Sequence, residues 1–99
     1  MSLPVVFNRR VPRDLRGILA FYEQESGTNL ANAFYGELMM RLRQVEENPR
    51  QFPFSTQDLR RANLEKFPYH FLYRIKSNCV RVLVIRHDQR DPRFGTGRQ

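Results

Sequence analysis

Apolar and polar residues repeat with two different periods along this 99-residue chain, and the change of period divides it. Val5-Val6-Phe7 is a short apolar run closed by Asn8-Arg9-Arg10, and it predicts a first strand. Pro12 suits the first turn of a helix, where its missing N–H would have had no partner. Leu15, Ile18, Leu19 and Tyr22 then recur at helical spacing, with Arg13, Asp14, Arg16 and Glu23 off the stripe. Gly27 is a natural stop. Thr28 or Asn29 can open a second helix, in which Ala31, Phe34, Leu38, Leu42 and Val45 hold the same spacing. That helix ends before Pro49, which pushes Asn48 out of the helical region. So short a break between the two helices predicts an antiparallel hairpin.

Pro49 to Asp58 reads as a loop, with Phe52 and Phe54 around Pro53 tucked against the helices. After it the period falls to two. Arg61 to Lys66 alternates loosely. Tyr69, Phe71, Tyr73 and Ile75 alternate with His70, Leu72, Arg74 and Lys76, and Val80, Val82 and Val84 with Arg81, Leu83 and Ile85. Phe67-Pro68 and Ser77-Asn78 are the connections, the second a tight hairpin turn. The expected order is β-α-α-β-β-β, an α+β fold. A single two-layer domain over residues 1–99 sets the helical hairpin on one face of a small, mainly antiparallel sheet. Two helices cover only one face, so the other is expected to lie partly open and to be built from the last three strands.

Charge sharpens this picture once it is located. From Met1 to Leu59 seven arginines balance seven acidic residues, whereas from Arg60 to Gln99 ten Arg and Lys face three acids, so the whole excess of +7 lies in the last forty residues. Fifteen of the seventeen basic residues are Arg, whose forked guanidinium suits phosphate and carboxylate. A polyanion or an acidic protein is the natural complement of that half.

Composition narrows the remaining classes. One cysteine, Cys79, cannot form an internal disulfide, and between strand-forming residues it reads as a buried structural thiol. With one Cys and two His the chain lacks the usual ligands of a zinc site, and no metal or cofactor is expected. No apolar stretch approaches the roughly 18 residues that span a bilayer, and the N-terminus lacks the apolar core of a signal peptide. A soluble, cytoplasmic protein with no membrane partner is expected.

Several segments stand in a particular order along the chain: Asp14-Leu15 with Ile18 and Tyr22, Leu30-Ala31 with Phe34, Asn48-Pro49 with Phe52-Pro53, and Arg61 with Leu64. Phe67-Pro68-Tyr69 follows, running into Leu72-Tyr73-Arg74-Ile75, then Val82-Leu83-Val84-Ile85 leading to His87, Arg90-Asp91-Pro92 and Arg98. Together they resemble the RelE/ParE family of toxins from bacterial type II toxin–antitoxin systems. The resemblance runs from Val5 to Arg98 and implies a growth-arresting protein, of the kind also met in plasmid stabilisation, silenced by a cognate antitoxin. RelE-like members cut mRNA on the ribosome, whereas ParE-like members bind DNA gyrase and cut no RNA. Many RelE-like tails carry an aromatic hydroxyl; this chain has no Tyr after Tyr73, and Phe94 stands where many relatives have Trp.

RNA cleavage by the 2′-hydroxyl needs a base, positive charge on the phosphate and an acid for the leaving oxygen. His87 is the candidate base or acid, with Glu65 as a second base that neighbouring arginines would weaken. Arg90 in the tail motif and Arg74 are the candidates for holding the phosphate. Arg61, Lys66, Arg86 and Arg93 are expected to grip flanking nucleic acid. The structural alternatives are a surface His87, an Arg74 paired with Asp88 or Asp91, a His70 that serves a cross-strand partner, and Tyr69 and Tyr73 in the core. Three functions remain: a ribosome-dependent mRNA endonuclease, a gyrase poison that performs no chemistry, and a passive basic RNA-binding module.

Overall fold

The computed structural model describes residues 2–99. Its elements run β1 (Val5–Phe7), α1 (Val11–Ser26), α2 (Thr28–Glu47), β2 (Phe54–Thr56), β3 (Leu59–Asn63), β4 (Tyr69–Ile75) and β5 (Val80–His87). The five strands form one sheet in the order β1-β5-β4-β3-β2. β1 lies parallel to β5, and every other pairing is antiparallel. The two helices and the mainly antiparallel sheet are those expected from the periodicity.

Gly27 is the only residue between α1 and α2. Its φ of 85° is open to glycine at no steric cost, and its N–H donates to the Glu23 carbonyl to close the first helix. The helical hairpin buries Ile18, Tyr22, Ala31, Phe34, Leu38, Leu42 and Val45 against the sheet. Phe34 is fully enclosed by aromatic neighbours, its ring centroid 5.3 Å from both Phe67 and Tyr69 in edge-on arrangements. Tyr69, Phe71 and Tyr73 supply the sheet side of this core, and the Tyr73 hydroxyl donates to the Pro49 carbonyl at 2.6 Å. Burial lifts the Tyr73 phenol to a pKa of about 12.

The 49–58 segment departs from the expected loop. It contains β2, which pairs with β3, and Phe54 is exposed under the Arg60 guanidinium instead of tucked against the helices. Phe52 does reach the core. The strand expected over Arg61 to Lys66 is shifted earlier, to Leu59–Asn63. Glu65 and Lys66 lie in the following turn, because Glu37 of α2 accepts both of their backbone N–H groups and takes them out of the ladder. Cys79 is only half-buried, in the hairpin turn just before β5.

A larger departure lies within β5. Leu72 faces Val84, but its neighbour Tyr73 faces Val82, so Leu83 is an extra residue. This bulge turns both Leu83 and Val84 to the face away from the helices, where they cluster with Leu59 and Leu72. Simple alternation would have kept Val84 with Val80 and Val82. Beyond the bulge every side chain changes sides: Arg86 faces away from the helices, while His87 joins Tyr69 on the helix side. That second face is not left open as expected. Residues 88–99 fold back over it, and Phe94 packs on the Leu59, Leu72, Leu83 and Val84 cluster. Gly95 permits the close approach, since a Cβ there would stand 2.5 Å from a Val84 methyl.

Candidate functional site

The returning tail builds the part of the molecule where charge concentrates. Beneath it lies a row of polar groups. Arg86 and His70, cross-strand partners on β5 and β4, are both buried. Arg86 donates its Nε–H to His70 Nε2 at 2.9 Å and its Nη1 protons to the carbonyls of Pro92 and Phe94 at 2.9 and 2.8 Å. An arginine can only donate, so His70 Nε2 must be the acceptor and Nδ1 carries the proton, shared with Asp88 at 2.8 Å. Burial pulls the His70 pKa down; the Asp88 bond opposes this and the charges of Arg61 and Arg86 reinforce it. Burial also lowers the Arg86 pKa. His70 is therefore the cross-strand partner that its place among aromatic residues suggested.

A second fixture closes the sheet edge. β1 pairs only with the first residues of β5, which leaves the later backbone of β5 without a strand neighbour on the side away from β4. Asp14 of α1 accepts the Ile85 N–H at 3.1 Å, and Arg98 of the tail donates to the Leu83 carbonyl at 3.1 Å. The two side chains also meet each other at 2.7 Å, with Arg98 12% and Asp14 7% exposed. One ion pair thus takes the place of a strand and ties helix, sheet and tail together.

Between α1, the end of β5 and the tail is a cleft of about 350 Å³, lined among others by Arg13, Phe21, Tyr69, His87 and Arg90. The bulge and the tail bring His87 and Arg90 together there. His87 packs edge-on to Tyr69, its Nδ1 accepts the Gln89 N–H at 2.9 Å, and Arg90 lies over the Phe94 ring at 3.9 Å. The other possible proton carriers in the cleft are poorly placed to act. Burial raises the Tyr69 phenol, and Asp14 is held by Arg98 and the Ile85 amide.

Of the remaining sequence candidates only Arg86 also lines this cleft, and its Nε and Nη1 donors are taken by His70 and the tail carbonyls. Arg74 pairs with Arg81 at the far end of the β4–β5 ladder, five positions from Tyr69, or roughly 17 Å along the strand. It faces away from the helices and binds Asp58 at 2.6 Å, not Asp88 or Asp91, and this bond holds the Asp58 pKa down. Glu65 is a solvent-facing partner of Arg41 at 3.0 Å, on the α2 side. Lys66 shares that turn. Arg61 reaches Asp88 at 3.4 Å, Arg86 is occupied beneath the tail, and Arg93 pairs with Asp91 at 3.1 Å, lowering the Asp91 pKa.

Sequence reasoning passed over Arg9, Arg10 and Arg81. They line a larger cleft, about 740 Å³, between the β1–α1 turn and the tail. The signal was present, as Asn8-Arg9-Arg10 stands immediately before a helix, but Arg9 and Arg10 belong to the half of the chain whose charge sums to zero, and only the fold brings Arg81 beside them. Among the described residues no three His, Cys, Asp or Glu side chains are grouped to hold a metal ion, and no helix is long and apolar enough to cross a membrane.

Comparison with known proteins places this arrangement. A solved chain from the chromosomal ParDE TA system of P. aeruginosa shares the fold at a TM-score of 0.77 and 19% identity, covering 87% of this chain and 96% of that one. No curated protein sequence matches the chain. The model of the ParE toxin of type II toxin–antitoxin systems, parDE, matches residues 5–92, which span both helices and every strand. The chain belongs to the ParE toxin family of type II toxin–antitoxin systems.

Proposed function

We propose that this toxin arrests bacterial growth by binding DNA gyrase in the cytoplasm, performing no chemistry of its own, and that a cognate antitoxin silences it. The observation that carries the reading is the dispersal of the groups that RNA cleavage would require. His87 and Arg90 share one cleft, while Arg74 and Glu65 are bound elsewhere to Asp58 and Arg41. A 2′-hydroxyl attack needs two proton-transfer groups about one phosphate, and His87 has no free partner for the second. The match to the ParE toxin model supports this side of the RelE/ParE resemblance, whose ParE-like members bind gyrase. A protein partner is supported by Phe21, Tyr35, Met39 and Met40, large apolar side chains left exposed on the helical hairpin.

The test is expression without antitoxin, with plasmid supercoiling and primer extension on a reporter message read from one culture. Relaxed or broken plasmid beside intact message is expected, and His87→Ala should arrest growth as the parent does. Cut message with normally supercoiled plasmid would overturn the reading in favour of the mRNA endonuclease.

A further inference from the structure

The cleft between the β1–α1 turn and the tail is lined by Arg9, Arg10, Arg81, Arg93 and Arg98, and no lining residue carries a carboxylate side chain. Two of these arginines are committed, Arg98 to Asp14 and Arg93 to Asp91. Arg9, Arg10 and Arg81 form no ion pair with any of the described residues. Arg9 and Arg10 stand at the N-terminus of α1, where aligned peptide dipoles already concentrate positive charge and acidic residues are the stabilising choice. Arg81 sits across from Arg74, whose charge is met by Asp58, and has no such counter-charge of its own. A bound polyanion supplies the counter-charge that all three lack.

The walls indicate which polyanion. An extended acidic peptide is usually held by an open strand edge, which supplies main-chain hydrogen bonds. No lining residue offers an open strand edge: Arg81 lies in β5 between β1 and β4, and the others lie outside the strands. Asn8 donates to Val82, Thr96 to Arg93 and Arg98 to Gly95, while the N–H groups of Arg9, Gly95 and Gly97 have no backbone partner among the described residues. Recognition falls chiefly to guanidinium groups, over a wall where Gly97 has open space in place of a Cβ. Forked donors and charge, with a few backbone N–H groups beside them, match the way a phosphate backbone is gripped regardless of base sequence.

We propose that this cleft binds the phosphodiester backbone of a nucleic acid, with Arg9, Arg10 and Arg81 as the phosphate contacts. The site stands independently of the target; only the expectation that the strand is DNA rests on the gyrase reading.

The full-length toxin, free of antitoxin, is titrated into a short labelled duplex DNA and into an RNA of the same sequence, with fluorescence anisotropy followed as salt rises. On the duplex, three phosphate contacts predict a loss of affinity of about 40-fold between 50 and 200 mM salt, and each single change to Gln at Arg9, Arg10 or Arg81 reduces that to about 12-fold; on the single-stranded RNA the corresponding figures are about 18-fold and about 7-fold. An Arg16→Gln, Arg43→Gln, Arg50→Gln variant removes three times that charge elsewhere and is still expected to keep the parental slope. Circular dichroism melts confirm that the variants are folded. Either oligonucleotide bound with this pattern supports the site, and a preference for RNA counts against the gyrase target alone. Equal loss in the control variant overturns the proposal, as does absence of binding at 50 mM salt. Poly-glutamate binding more tightly, with the same dependence on the three arginines, reassigns the cleft to an acidic protein segment.

Discussion

The two faces of the sheet are closed by different means. On the helix face, Phe34, Leu38, Val45, Phe71, Tyr73, Val80 and Val82 are all at most 1% exposed, and the interior is held by aromatic and aliphatic packing. On the tail face the apolar patch is small, Leu59, Leu72, Leu83 and Val84 beneath Phe94, and it is bordered by charged groups. There the covering chain is fastened by Arg86, His70 and Asp88 at one end and by Arg98 and Asp14 at the other. Dispersion and burial are non-directional and tolerate small shifts, whereas buried charges tolerate none, since an orphaned partner loses its water without compensation. The helix face accordingly sets global stability. The tail face sets geometry, and both arginine-lined clefts depend on it.

The largest expected effect tests the first half of that contrast. Phe34→Ala removes a fully buried ring from the centre of the aromatic cluster and should lower unfolding free energy by about 3–5 kcal/mol in urea denaturation. That is a large share of a small domain's roughly 5–15 kcal/mol. A change under 1 kcal/mol would show that the helix face does not dominate.

The next effect belongs to the tail. Removing one partner of a buried ion pair typically costs about 3–5 kcal/mol. The tail can lift away and let water reach Asp14, so Arg98→Met should cost less than that in global stability. Its sharper consequence is local: hydrogen exchange at the Phe94, Thr96 and Ile85 amides should accelerate well before that of Phe71 or Leu72. Uniform acceleration would mean that the two faces unfold as one unit.

The smallest effect is pH dependence from His70. Its pKa is lowered on folding, chiefly by burial, so below the ordinary value near 6.5 the unfolded chain binds a proton that the folded chain resists. The stabilising contribution is present above that pH and is lost as pH falls through the folded pKa. Denaturation midpoints should therefore drop on acidification from about pH 7 to 5, and His70→Gln should flatten the difference. An unchanged slope in that variant would remove His70 from the account.

The elements were legible in the sequence because their causes are local. Helical spacing from Leu15 to Tyr22 and from Ala31 to Val45, glycine at position 27, proline at 49 and alternation from Tyr69 to Ile75 each act within a few residues. Family membership was legible for a related reason, since its motifs run along the whole chain in order. The site was not. A single extra residue, Leu83, exchanges the faces of Arg86 and His87, and nothing in the alternation of β5 announces it. The Glu37 carboxylate, twenty-eight positions earlier, draws Glu65 out of the strand expected for it. Arg98 meets Asp14 across eighty-four positions and makes the tail a cover instead of a free end. Arg9 and Arg10 acquire a shared role with Arg81 only when β1 lies beside β5 and the tail closes the other wall. Periodicity reports which residues seek burial; which charges end up sharing a cleft is fixed by long-range pairing, and that is a property of the folded chain alone.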